Sequence, residues 1–157
     1  MSGKAESERI QAAVGARLGH VIKRAEQALI AQKSHTLRQY DLTVAQYAAL
    51  MTLSYSPGSS GAQLSRACMV TAQTMATVLK NLESKGLIRR TPSSAHRKVL
   101  LTELTRSGRS VLKKADASAR AIEEELASEF DGEDRELLRQ LLERAIKVLN
   151  SHNQNGL

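Results

Sequence analysis

The chain of 157 residues is 41% hydrophobic but only 3% aromatic and has no Trp, so its core must be built from Leu, Ile, Val, Ala and Met. No apolar run approaches the roughly 20 residues of a membrane span. The opening MSGKAESERIQ lacks the apolar stretch of a secretory signal, and a single cysteine excludes an internal disulfide framework. These features describe a soluble, cytoplasmic chain of one compact domain, or two that share a core. The formal charge of +7 is unevenly placed. Between Ser60 and Ser110 nine basic residues stand against two acids, a surplus equal to that of the whole chain. A solvated face does not need such segregation, and an anionic partner explains it.

In chain order, Ile10, Val14, Leu18, Val21, Ile22, Ala25 and Leu29 recur at three and four, which predicts one long amphipathic helix from Glu8 to about Lys33. SHTLRQYD breaks the pattern. Thr43 and Gln46 have capping-box spacing and open a helix over TVAQYAALMTLS, which YSPGSSG ends as a turn. A second capping pair, Ser60 and Gln63, opens the short helix GAQLSRAC. Another helix runs from near Thr71 to Lys85, with Gly86 placed to end it. LIRRT and KVLLTEL read as a two-stranded hairpin around a basic tip. Thr105 then caps a helix with the stripe Val111, Leu112, Ala115, Ala119, Ile122, Leu126 and Phe130. DGED interrupts it, and a last helix carries Leu137, Leu138, Leu141, Leu142, Ala145, Ile146 and Leu149 before NSHNQNGL frays. There is no internal repeat.

On a wheel of about 100° per residue, the helix over 71–85 gathers Met75, Val78, Leu79 and Leu82 on one face. Gln73, Thr77, Lys80 and Ser84 gather opposite, flanked by Thr74 and Asn81. Amides, hydroxyls and an ammonium can read base edges in a major groove, although an ordinary solvated face has the same residue types. The context decides between them. A short capped helix, a tight turn, this helix and a following basic hairpin make a helix-turn-helix with a phosphate-reaching finger.

The segment SGAQLSRACMVTAQTMATVLKNLESKGLIRRTPSSAHRKVLLTELTRSGRSVL resembles the winged helix-turn-helix core of the MarR family (multiple antibiotic resistance regulators). Its most telling pieces are LKNLESKGLIRR, VLLTELTRSG and the basic wing between them, and helix order extends the likeness to nearly the whole chain. The resemblance implies a mainly α fold with a small β-hairpin wing. The DNA-binding lobe would span 43–105, and helices at 8–37 and 106–150 would intertwine with a second copy. It implies a homodimeric, ligand-responsive repressor that binds a palindromic operator in double-stranded DNA. The expected DNA contacts are Thr71, Gln73, Thr74, Thr77 and Lys80 on the recognition helix, with Arg90, Ser94, His96, Arg97 and Lys98 on the wing. Family members often carry Asp-x-Arg at the wing. Here Ala95 stands two before Arg97, so Arg97 lacks the acid that would orient it.

The resemblance also implies a small aromatic or anionic effector in a cleft, for which His20 and Tyr47 are the candidates; both equally suit plain core or edge positions. Cys68 shares the apolar side of its helix with Leu64 and has no partner thiol, so it reads as structural, with redox regulation as an alternative. His20, His35, His96 and His152 are scattered, and no metal site or cofactor is expected. Glu123, Glu124 and Glu125 point in different directions on a helix and form a solvated face. With no phosphate loop or nucleophile elbow, the chain does not read as an enzyme. The alternative from another class is a winged-helix module whose basic wing meets an acidic protein.

Overall fold

The computed structural model describes the backbone of residues 2–154 and the side chains of residues 6–151. Its helices are α1 (Ser2–Gly15), α2 (Leu18–Leu37), α3 (Val44–Tyr55), α4 (Gly61–Ala67), α5 (Ala72–Ser84), α6 (Arg106–Ser128) and α7 (Gly132–Gln154). The strands are β1 (Ser59–Ser60), β2 (Ile88–Pro92) and β3 (Leu100–Leu104). The last helix continues through Gln154, so residues 150–154, the first part of the NSHNQNGL stretch expected to fray, are helical, and residues 155–157 lie outside the described residues. No helix among the described residues is long and apolar enough to cross a membrane.

Capping chemistry sets most of the boundaries. Thr43 accepts from the Gln46 backbone at 3.2 Å while the Gln46 side chain accepts from the Thr43 backbone at 3.0 Å, a reciprocal box that starts α3. Ser60 and Gln63 repeat it at α4, at 3.3 and 2.8 Å. The Thr71 hydroxyl accepts from Thr74 N at 3.1 Å to start α5, and that of Thr105 accepts from Gly108 N at 3.0 Å as α6 begins. Gly108 itself lets α6 approach the chain closely: a Cβ there would lie 2.0 Å from the Leu87 carbonyl oxygen.

Two expectations need correction. The first helix is not continuous, because Gly15 ends α1 and Arg17 is extended (φ −73°, ψ 130°) before α2. The apolar spacing carries across this break unchanged, so periodicity could not reveal it, while Gly15 and Gly19 weaken the helix locally. The sheet has three strands, not two, in the order β1-β3-β2, all antiparallel. Ser59 and Ser60 pair with Thr102 and Leu101. A two-residue strand of serines offers no alternation to read.

The chain forms two compact units, 1–119 and 120–157. In the first, Leu37, Leu50, Leu53, Leu64, Met75, Leu79 and Leu82 are fully buried at the centre, with Ile88, Leu104, Leu112 and Ala115 joining from the sheet and α6. Two hydroxyls fasten α6 to this centre: Tyr47 donates to Asp116 at 2.8 Å, and Tyr40 and Ser118 share a hydrogen bond of 2.6 Å. In the second unit Asp131 accepts from Asp134 N at 2.8 Å and starts α7.

Candidate nucleic-acid interface

Helix α5 is split as its wheel predicts. Met75, Val78, Leu79 and Leu82 are buried, whereas Thr71, Gln73, Thr74, Thr77, Lys80, Asn81 and Ser84 are all exposed. The exposed row is not chemically uniform. The Thr71 hydroxyl is used in capping and donates onward to Thr74 Oγ1 at 2.9 Å, and Thr77 donates back to the Gln73 carbonyl at 3.3 Å. The hydroxyl protons of Thr71 and Thr77 are therefore spent within the helix, whereas the Thr74 hydroxyl accepts from Thr71 and donates to no group among the described residues. The side-chain amides of Gln73 and Asn81 and the Lys80 ammonium make no hydrogen bond among the described residues, which leaves them as open polar groups of the row.

The wing is a closed loop. Ser93 N donates to the Val99 carbonyl at 2.8 Å, Val99 N donates to the His96 carbonyl at 2.7 Å, and the Ser93 hydroxyl accepts from the backbone of Ala95 and His96. These bonds hold Ser94, His96, Arg97 and Lys98 exposed at the tip. Ser93 thus fixes the backbone of the loop, while Arg97 has no acid beside it among the described residues to orient its side chain. Ser93 was not singled out in the sequence, although a serine two and three residues before the donors is the ordinary signal for such a turn.

Ion pairs sort the basic third. Arg89 is matched by Glu103 across the β2–β3 ladder at 2.8 Å, and Lys85 by Asp41 at 2.9 Å. Lys80, Arg97 and Lys98 have no ion pair among the described residues, nor have Arg66, Arg90, Arg106 and Arg109; of these, Lys80 stands on the exposed α5 row and Arg97 and Lys98 at the wing tip. Arg90 differs from the others on the expected list. It is half-buried, and its Nε is sequestered without a hydrogen-bond partner opposite Thr102, whose hydroxyl is also buried and unpartnered.

His20 and Tyr47 are not brought into one cavity. His20 lines a shallow hollow of about 420 Å³ with Ile10, Val14 and Arg24. Tyr47 lies in the core, its hydroxyl on Asp116. A cleft of about 470 Å³ opens between the end of α3, β3 and the start of α6, lined by Met51, Tyr55 and Leu112, the cations Arg109 and Lys113, and the carboxylates of Glu103 and Asp116 among others. Arg109 is steadied by donating to the Leu104 carbonyl at 2.9 Å. Arg109 and Lys113 were not read as a pair from the sequence, though their i,i+4 spacing puts two cations on one helix face. Cys68 is half-buried, 3.6 Å from Thr52 Oγ1. His35 and His96 are exposed, the side chain of His152 lies outside the described residues, and no metal-holding cluster of His, Cys, Asp or Glu occurs among the described residues.

Comparison with known proteins gives this geometry a setting. A sequence profile of the MarR family matches residues 40–98. The HTH-type transcriptional repressor Rv2887 of Mycobacterium tuberculosis is 33% identical over 127 residues, covering 81% of this chain and 91% of the relative. Its crystal structure in complex with salicylic acid superposes with a TM-score of 0.65 over 83% of this chain and 96% of that one. The transcriptional repressor CouR, bound to a 23-mer DNA duplex, is 26% identical and superposes with a TM-score of 0.77, covering 87% of this chain and 96% of its own.

Proposed function

The chain belongs to the MarR family of transcriptional regulators, and on that premise we propose that it is a homodimeric repressor of a palindromic operator, released by a small aromatic anion. The observation that carries this reading is the exposed polar row of α5 beside a wing with unpaired Arg97 and Lys98. Gln73 is suited to pair with adenine N6 and N7, and Lys80 with guanine or phosphate, while Thr71, Thr74 and Thr77 offer methyls to thymine. Ser94, His96, Arg97 and Lys98 track the backbone or the adjacent minor groove, with Arg90 at the base of the wing. Residues 43–105 then form the DNA-binding lobe.

The proposed dimer is supported by apolar surface that the chain leaves bare. Ile10, Leu18 and Val21 are exposed in the first unit, and Leu137, Leu141, Ile146 and Leu149 in the second. On this reading the helices at 8–37 and 106–150 bury those faces against a second copy, and two-fold symmetry sets the half-sites roughly 34–36 Å apart. The effector site is the cleft of about 470 Å³. Arg109 and Lys113 would meet a carboxylate, and Met51, Tyr55 and Leu112 an aromatic ring. The relative Rv2887 in complex with salicylic acid supports that choice of ligand. The effector must bind the DNA-free state more tightly, and DNA must weaken effector binding by the same factor.

The test is fluorescence anisotropy against the intergenic DNA upstream of the protein's own gene, with excess unrelated competitor. Binding at dimer stoichiometry that survives competitor is expected. Gln73→Ala should cost roughly 1–3 kcal/mol at one base position. Arg97→Ala should weaken binding to every sequence and flatten the salt slope by about 1. If both variants bind as the wild type does, the interface lies elsewhere. Binding that vanishes with competitor would instead favour an acidic protein partner.

A further inference from the structure

Three turns in the chain share one geometry. After α4, after α5 and after the 3-10 turn Arg38–Tyr40, a residue with left-handed backbone reverses the chain, and the same two backbone bonds close each end. Gly86 (φ 68°) donates to Glu83 at 2.9 Å and Leu87 to Leu82 at 3.0 Å. Asp41 (φ 53°) donates to Arg38 at 3.0 Å and Leu42 to Leu37 at 3.3 Å. Met69 (φ 55°) donates to Arg66 at 3.2 Å and Val70 to Ser65 at 3.0 Å.

Two of the three residues suit their place. Glycine carries no Cβ penalty there, and aspartate tolerates the left-handed region. Asp41 also has work for its side chain, which pairs with Lys85. Met69 has neither excuse. Methionine is strained in this conformation, and its side chain is 92% exposed while Cys68 and Val70 on either side pack against the core. A glycine would relieve the strain and remove an exposed apolar group at once. The fold of this chain therefore gives no reason for the side chain, and the reason must lie in something that the side chain touches from outside.

Its position identifies the occupant. Met69 stands two residues before Thr71, at the N-terminal end of α5, where Gln73 and Thr74 are also exposed. That end of a recognition helix meets base edges in the major groove. An uncharged thioether offers little to a phosphate. The apolar feature of the groove that it matches is the 5-methyl group of thymine. We propose that Met69 is a specificity-determining residue that lies against a thymine methyl in each half-site. The inference rests on the DNA-binding reading given above and adds a base identity to it.

The test starts from a duplex selected by the wild-type protein from a random pool. Each thymine of a half-site is replaced in turn by deoxyuridine, which removes only the methyl. The wild type should lose about fourfold in affinity for each half-site at one such position, the worth of one buried methyl. Met69→Gly should bind the unmodified duplex more weakly and be indifferent to that replacement. It should also melt about 2–4 °C higher, as relief of backbone strain requires. Met69→Leu should restore the sensitivity to deoxyuridine. The inference is overturned if no deoxyuridine position weakens the wild type, or if Met69→Gly keeps the same sensitivity. Failure to select any duplex would overturn the DNA-binding reading itself, so the two failures are distinct.

Discussion

The winged-helix centre and the outer helices are made from the same kind of amphipathic stripe, but only the centre covers its own. From Leu37 to Ala119 the apolar faces of α3, α4, α5 and the first part of α6 close on one another, and Leu50, Leu64, Met75 and Leu82 reach zero exposure. Along α1 and α7 no described side chain is buried, although the leucines and isoleucines of α7 recur just as regularly. The difference teaches that periodicity specifies which face a helix must hide, not what hides it. Where the chain supplies the partner, the face becomes core. Where it does not, the stripe stays exposed, and it is this stripe that the proposed second copy would cover.

The same substitution made in both regions gives the hardest test of that contrast. Leu64→Ala should lower stability by about 2–5 kcal/mol, measured by urea unfolding, whatever the protein concentration. Leu141→Ala, at a site 44% exposed, leaves the core of the chain alone and should destabilise only in a concentration-dependent way, because dimer stability is tied to mass action. Equal, concentration-independent losses at the two sites would break the comparison. Within the centre, Gly108→Ala forces a Cβ toward the Leu87 carbonyl and should cost about 1–3 kcal/mol, since backbone must move to admit it. A smaller effect, about 1 kcal/mol, is expected for Thr43→Ala, which removes one half of the α3 capping box.

The centre was legible in the sequence because its signals are local. Thr43 with Gln46, Ser60 with Gln63, and Gly86 each act within a few residues, and the buried face of α5 is a pattern of one helix. The breaks were less legible. The apolar spacing from Ile10 to Val21 runs straight through Gly15–Arg17, and β1 exists only because β3 passes beside Ser59 and Ser60. For the proposed interface the residue types were readable, but their chemical availability was not. That Thr71 and Thr77 turn their hydroxyls to their own helix, that Glu103 neutralises Arg89, and that Arg90 hides its Nε are facts of tertiary geometry. The cleft of Arg109 and Lys113 needed α3, β3 and α6 in place together. Met69 looked like an ordinary turn residue until its backbone angle and exposure were known.

The smallest effect belongs to the outer helices and sharpens the contrast by pH. On α7 the Glu136 carboxylate accepts from Arg139 at 2.7 and 2.9 Å and from Gln140 at 2.7 Å. The Arg139 hydrogen bonds, with that of Gln140, lower its pKa from the ordinary 4.5 to about 2. A carboxyl held down in this way adds stability that is complete above its unfolded value and is lost as pH falls through about 2. The pair is open to solvent, and exposed pairs contribute little to folding. The shift should therefore be visible by NMR titration of the Glu136 side chain, while helical circular dichroism stays almost unchanged between Glu136→Gln and wild type. Arg139→Ala should return the midpoint toward 4.5. A wild-type midpoint already at that ordinary value would mean that the paired geometry does not persist in solution. Secondary structure lost together with the titration would mean that α7 depends on this pair, contrary to a helix held by its apolar face.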